Sequence, residues 1–221
     1  MSSYFRQLPD FEYVSRTPNA KIGDYSKVKN LFKRGKLRED IFQDLSFFTK
    51  YKIEGNDRPD NVAFEVYGDP TLDWVVLLAN NIINIQTEWP MTQQAFDDYL
   101  IEKYGTYEKI YEVHHYETVE IKNSQGVVIV PEGLQVPQDY SVTFFDFFTG
   151  VYEIKSGITT PITNYDYEEK IENDKRNIFI LKSRYLNIVN DDMIEIMEYK
   201  KGSTQYVSET LKKGDNIRLY E

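Results

Sequence analysis

Apolar positions change period several times along the chain, and each change marks an element. Leu37, Ile41, Leu45 and Phe48 recur at i, i+4, i+8 and i+11, which predicts a helix over 37–48. Tyr51-Lys52-Ile53 reads as a short strand and Gly55-Asn56-Asp57-Arg58-Pro59 as a turn. Asp60 caps a short helix reaching Tyr67, with Val62, Ala63 and Val66 on its inner face. Gly68 stops that helix, and Asp69-Pro70-Thr71 opens a second one to about Asn81. Trp89-Pro90-Met91 is expected as a closing strand. Thr92 then caps a helix over 93–104 that carries Phe96, Tyr99, Leu100 and Tyr104 along one side.

After Gly105 the pattern turns to β. Val119 and Ile121 alternate with Glu120 and Lys122, Asn123-Ser124-Gln125-Gly126 turns, and Val127-Val128-Ile129-Val130 returns, a hairpin signature. Tyr140–Phe145 reads as a strand, with Phe145 and Phe147 on the face opposite Phe144 and Phe148 if all four share it. Residues 150–175 read as loop and Asn177–Lys182 as a strand. A helix from Ser183 to about Tyr199 follows, with Leu186, Val189, Met193, Ile196 and Met197 on one stripe, and 215–220 can close as a strand. Residues 1 to about 25 fit neither period. Tyr4, Phe5, Leu8, Phe11 and Tyr13 are spaced irregularly around Pro9 and Pro18, which predicts an extended arm that docks its aromatics elsewhere. The expected fold class is α+β, in three regions: 1–49 arm and helix, 50–91 a strand–helix–helix–strand core, and 92–221 a helix followed by a hairpin-rich region and the C-terminal amphipathic helix.

Composition narrows the class of protein. Hydrophobic residues make up 41% and charged residues 28%, a globular balance. The longest apolar run, Trp74 to Ala79, is far shorter than the ~20 residues needed to span a bilayer. Met1 to Arg6 lacks the basic start and apolar stretch of a signal peptide, so a soluble and initially cytoplasmic protein is expected, with no membrane partner. The absence of cysteine excludes disulfides, thiol catalysis and thiolate zinc sites. A net charge of −10 argues against nucleic acid as the main partner. The stretch from Lys27 to Arg38 nevertheless holds six basic residues and no acid, either a solvated face or a docking surface for an acidic partner. The aromatic content, 18 Tyr, 13 Phe and 2 Trp, suits both cores and protein interfaces.

Catalytic chemistry finds little footing. The two histidines, His114 and His115, are adjacent, and on a regular strand they point to opposite faces and do not chelate one metal. His-Glu-x-x-His, a serine nucleophile elbow, a phosphate loop and Gly-x-Gly-x-x-Gly are all missing. The carboxylate pairs Asp97-Asp98, Glu168-Glu169 and Asp191-Asp192 read as helix starts and solvated faces, and the acidic loop near Asp166 lacks calcium-loop spacing. The expectation is no catalytic residue, no metal ligand, no cofactor and no small-molecule substrate.

The segment from Tyr51 to Ile82 resembles a LysM module: Tyr51, Gly55, Tyr67-Gly68 and Asn80 match that family's motif in order and spacing. The family's usual Gly-Asp-Thr is replaced by Gly55-Asn56-Asp57-Arg58-Pro59. A wider likeness rests on Arg58-Pro59-Asp60-Asn61-Val62-Ala63, Tyr67-Gly68-Asp69-Pro70-Thr71-Leu72-Asp73-Trp74-Val75, Trp89 with Thr92-Gln93-Gln94-Ala95, and Asn190 to Glu198. In these blocks the chain resembles the fifty-third-gene-product family of T-even-type phages. That resemblance implies a non-enzymatic baseplate wedge subunit of the virion tail, built on a LysM-like core that includes Tyr51, Gly55, Tyr67, Gly68, Pro70, Trp74, Asn80 and Trp89. It implies wedge core proteins, neighbouring wedges and the sheath initiator as partners, and a clamping role around the hub, with the arm as docking element. The alternative implied by the same segment is a peptidoglycan-binding LysM-type module.

Overall fold

The computed structural model describes residues 3–15, 17–21 and 23–214. The chain forms two compact units, Met1–Trp89 with Arg176–Glu221, and Pro90–Lys175. The stretch 92–221, read from sequence as one region, is therefore divided: 92–175 lies in the second unit and the remainder in the first. The fold is α+β, as expected.

The first unit is built around strand Phe48–Lys52 paired antiparallel with strand Asn177–Leu181, Leu181 opposite Phe48 and Asn177 opposite Lys52. Helices Pro59–Tyr67 and Asp73–Ala79 follow the first strand. Pro59 sits at the first helical turn, where a missing N–H costs nothing. Gly68 ends that helix at φ +73°, a left-handed cap that a side chain resists. Asp69 then accepts the Thr71 N–H to start a 3₁₀ turn over Pro70–Leu72. The core gathers Val62, Ala63, Leu72, Trp74, Val75, Val76 and Ala79 with Ile178, Ile180 and Leu181. Helix Leu186–Met197 adds Leu186, Val189, Met193 and Met197. Apolar positions wrap most of helix Asp73–Ala79, and Leu77 and Leu78 are packed against this same core, so the chain covers that helix itself.

Three sequence expectations change here. Trp89-Pro90-Met91 forms no strand: Pro90 has no N–H to give a ladder, Trp89 caps helix Ile85–Glu88, and the closing strand comes from 177–181. The helix expected over 37–48 is only Glu39–Gln43, because the Asp44 carboxylate accepts the Ser46 N–H at 2.8 Å and restarts the chain as a 3₁₀ turn over Leu45–Phe47. The N-terminal arm is folded in. Strand Asp10–Val14 lies between Tyr25–Lys29, antiparallel, and Leu211–Lys213, parallel, in a sheet completed by Tyr206–Ser208. The strand expected over 215–220 lies outside the described residues.

The second unit has a three-stranded sheet, Val113–Thr118 between Thr159–Thr163 and Gln135–Val136. It adds the short hairpin Ile121–Lys122/Val128–Val130 and the longer one Val142–Asp146/Val151–Lys155. Helix Gln93–Tyr104 is capped by Thr92, whose hydroxyl accepts the Ala95 N–H. The region 150–175, expected as loop, instead holds two strands and helix Asn164–Asp174, opened by a reciprocal capping box between Thr163 and Asp166. The helix was hidden because its buried face carries Glu168 and Glu172 where a stripe of apolar residues would announce it. Glu168 is thus not a solvated carboxylate: it accepts from Lys103 at 2.6 Å, Tyr104 at 2.8 Å and Tyr99 at 3.2 Å. Residues 90–175 carry sixteen of the chain's 36 acids and six of its 26 bases, so this unit holds the entire net charge of −10 and the first unit is balanced.

Candidate docking surfaces

The residues that carry the LysM likeness all hold the first unit together. Tyr51 donates its hydroxyl to Glu65 at 2.6 Å, tying the first strand to the first helix. The Tyr67 hydroxyl donates to the Leu181 carbonyl at 2.9 Å, and burial pushes its pKa up. Trp74 is buried, and its indole N–H finds no acceptor among the described residues. Asn80 donates to the carbonyls of Val76 and Phe179 and accepts the Phe179 N–H. Pro70 opens the 3₁₀ turn that leads into the second helix. The turn after the first strand, with Gly55 at φ +52°, is secured by the chain itself: the Arg176 guanidinium donates to the Gly55 carbonyl at 2.7 Å, and the Trp89 indole to the Asp57 carbonyl at 2.9 Å.

The five arm residues divide. Leu8 is buried at 2% exposure. Tyr4 packs against Trp74 and accepts the Gly35 N–H at 3.0 Å, and Phe11 is half-buried in the sheet. Phe5 and Tyr13 remain exposed. The basic stretch is partly paired within the unit: Lys27 and Lys29 share Asp10, Lys33 donates to the Ile196 and Glu198 carbonyls, and Arg38 pairs with Asp40 and Asp192. Inside that stretch Leu31 and Phe32 stand out in solvent, Phe32 completely.

A cluster of exposed apolar side chains in the second unit lies on the hairpin Val142–Asp146/Val151–Lys155, which forms a two-stranded sheet of its own. Phe147 is 87% exposed, Phe148 74%, Tyr152 75% and Ile154 71%. The ring of Phe145 lies edge-on to both Phe147 and Tyr152, each at 5.1 Å. The phenylalanines were expected on two faces of one strand, but the strand ends at Asp146 and Phe147 and Phe148 lie in its turn. The buried Asp146 carboxylate fixes that turn by accepting the Phe148 and Thr149 N–H groups and, from the neighbouring hairpin turn, that of Ser124. An aromatic tip so held loses little conformational freedom on contact, a property of interface anchors.

The histidines depart from their expected geometry. On strand Val113–Thr118, His115 pairs with Ile162 and Val113 with Thr163, so His114 is an extra residue in the ladder, a β-bulge. Alternation fails there, and the two rings converge with Nδ1 atoms 2.8 Å apart. His114 stacks on Tyr167 at 4.2 Å, while His115 Nε2 lies 3.2 Å from Glu117, which also pairs with Lys170. The His115 hydrogen bond and Lys170 hold the Glu117 carboxyl below its ordinary range. The only signal for this in the sequence is the adjacency of the two rings. Among the described residues no helix is long and apolar enough to cross a membrane.

Each unit bears exposed aromatics, and comparison with known proteins gives first the class, a structural protein of a phage baseplate, and then the family. The model of the family described as base plate wedge protein 53 matches residues 4–196, and the chain belongs to that family. Over 184 residues it is 27% identical to baseplate wedge protein gp53 of Enterobacteria phage T4, covering 74% of this chain and 86% of that protein. The chain is a structural component of a bacteriophage virion, resides in the tail baseplate and contacts other baseplate proteins.

Proposed function

We propose that this protein is a non-enzymatic clamp of the baseplate wedge, seated on wedge core proteins and helping to join neighbouring wedges around the hub, with the sheath initiator as a further neighbour. The observation that carries the reading is the pair of exposed apolar surfaces on separate units: Leu31 and Phe32 within the basic stretch of the balanced unit, and the aromatic hairpin of the acidic unit. A bridging protein needs two docking surfaces, and surfaces of different electrostatic character select different partners. Phe5 and Tyr13 are exposed on the same unit, whereas Leu8 and Tyr4 serve the fold, so the docking role proposed for the arm rests on its exposed residues.

In this reading the scaffold is LysM-like, with strand Phe48–Lys52, the two helices and strand Asn177–Leu181, the last separated from the helices by the second unit. The turn after the first strand, which would meet a sugar in a glycan-binding relative, is bonded to Arg176 and Trp89 of the same chain, which favours scaffold over glycan receptor. The test is assembly in vitro from purified wedge proteins, with Phe147→Ser/Phe148→Ser and Leu31→Ser/Phe32→Ser as variants. Each pair alters exposed side chains only, so the variants should remain folded and lose incorporation. Full incorporation of both would count against the clamp, and saturable retention of the protein on purified peptidoglycan would favour the glycan-binding reading.

A further inference from the structure

We infer that His114 and His115 form a chelating site for a late divalent transition metal of the copper or nickel class. The inference is independent of the clamp reading and begins with the bulge. A regular strand sends neighbouring rings to opposite faces; the extra residue at position 114 brings the two Nδ1 atoms to within 2.8 Å of each other. Two metal–imidazole bonds of about 2.0–2.1 Å meeting at a right angle place their nitrogens about 2.9 Å apart, and a tetrahedral angle spreads them to about 3.3–3.4 Å. The observed separation fits two adjacent positions of a square-planar or octahedral ion, the geometry preferred by Cu²⁺ and Ni²⁺.

Both rings are also held as ligands must be. Glu117 accepts from His115 Nε2, which places that ring's proton on Nε2 and leaves the Nδ1 lone pair facing His114. Without metal, His114 Nδ1–H donates to that lone pair. An ion between the rings takes the place of this proton, which moves to His114 Nε2. Stacking on Tyr167 keeps the His114 ring in place, and Lys170, 3.2 Å from Glu117, helps hold the carboxyl group that orients His115. Among the described residues no third His, Cys, Asp or Glu joins the pair, so water fills the other positions and the ion is a two-imidazole chelate.

The test titrates the full-length protein with CuCl₂ and with NiCl₂, read by calorimetry, and by electron paramagnetic resonance for copper. One ion per chain should saturate, with a copper spectrum carrying coupling to two imidazole nitrogens. His114→Ala should weaken binding at least tenfold with an unchanged melting curve, since that ring is exposed. Glu117→Gln should weaken it about tenfold through the loss of ring orientation. Wild-type binding indistinguishable from that of the His114→Ala/His115→Ala variant would overturn the site, because any signal would then come from elsewhere on the chain.

Discussion

Asn80, at the end of the second helix, exchanges two hydrogen bonds with the backbone of Phe179, donating at 2.8 Å and accepting at 2.7 Å across 99 positions of sequence. In an antiparallel pair every second residue turns its N–H and C=O away from its neighbour, and Phe179 is such a residue on the closing strand. One side-chain amide thus takes the place of a third strand, and its third bond, to Val76, ends the helix. Asn80→Ala should cost about 2–3 kcal/mol, since both Phe179 groups and the Val76 carbonyl lose their partner. Urea denaturation of the first unit measures it. Asn80→Asp, which keeps the acceptor and loses the donor, should fall at least as far.

The reach of that contact explains what the sequence disclosed and what it hid. The helix reaching Tyr67, its Gly68 stop and the Thr92 cap are local, written in neighbouring residues, and they appear where expected. Asp60, however, does not cap: the helix begins at Pro59, with Arg58 before it, and Asp60 lies inside its first turn. The pairing of 48–52 with 177–181 is non-local, and Trp89-Pro90-Met91 took its place in the reading only because it came next. Helix Asn164–Asp174 escaped because its inner face is carboxylate, and the His114 bulge because alternation is the default for a strand. Of the candidate positions, those that carry the LysM resemblance are spent on bonds and packing inside the first unit. The hairpin tip was legible as aromatic, but its exposure follows from Asp146 fixing the turn, which no local pattern announces.

Gly35 packs directly against Met193. A Cβ at position 35 would collide with the Met193 Sδ and Cε atoms, and Met193 is itself buried. Gly35→Ala should therefore cost about 1–3 kcal/mol by overpacking. Met193→Val in the same chain should recover part of that loss, so a double-mutant cycle by thermal denaturation should give a favourable coupling of about 1 kcal/mol.

Glu168 makes the second unit sensitive to acid. Burial alone would raise its carboxyl, but the bonds from Lys103 and Tyr104 outweigh burial and leave it below the ordinary value of 4.5. A carboxyl lowered in the folded state contributes stability that is present above its unfolded pKa and is lost as pH falls through the folded one. The second unit should lose stability progressively below about pH 4.5. Glu168→Gln should reduce that slope and be less stable than wild type at pH 7 by about 1–2 kcal/mol, a modest figure because Lys103 reaches solvent. Melting curves between pH 3 and 7 decide it.

A clamp of the wedge has its exposed aromatics covered by neighbouring baseplate proteins. Hydroxyl-radical footprinting of the purified protein against assembled baseplates reads this directly at Phe147, Phe148 and Tyr152, exposed at 87%, 74% and 75% in the chain alone. Assembly should suppress oxidation of these rings several-fold while an exposed residue outside the hairpin, such as Tyr107, stays reactive. Equal oxidation of the hairpin tip before and after assembly would contradict the account.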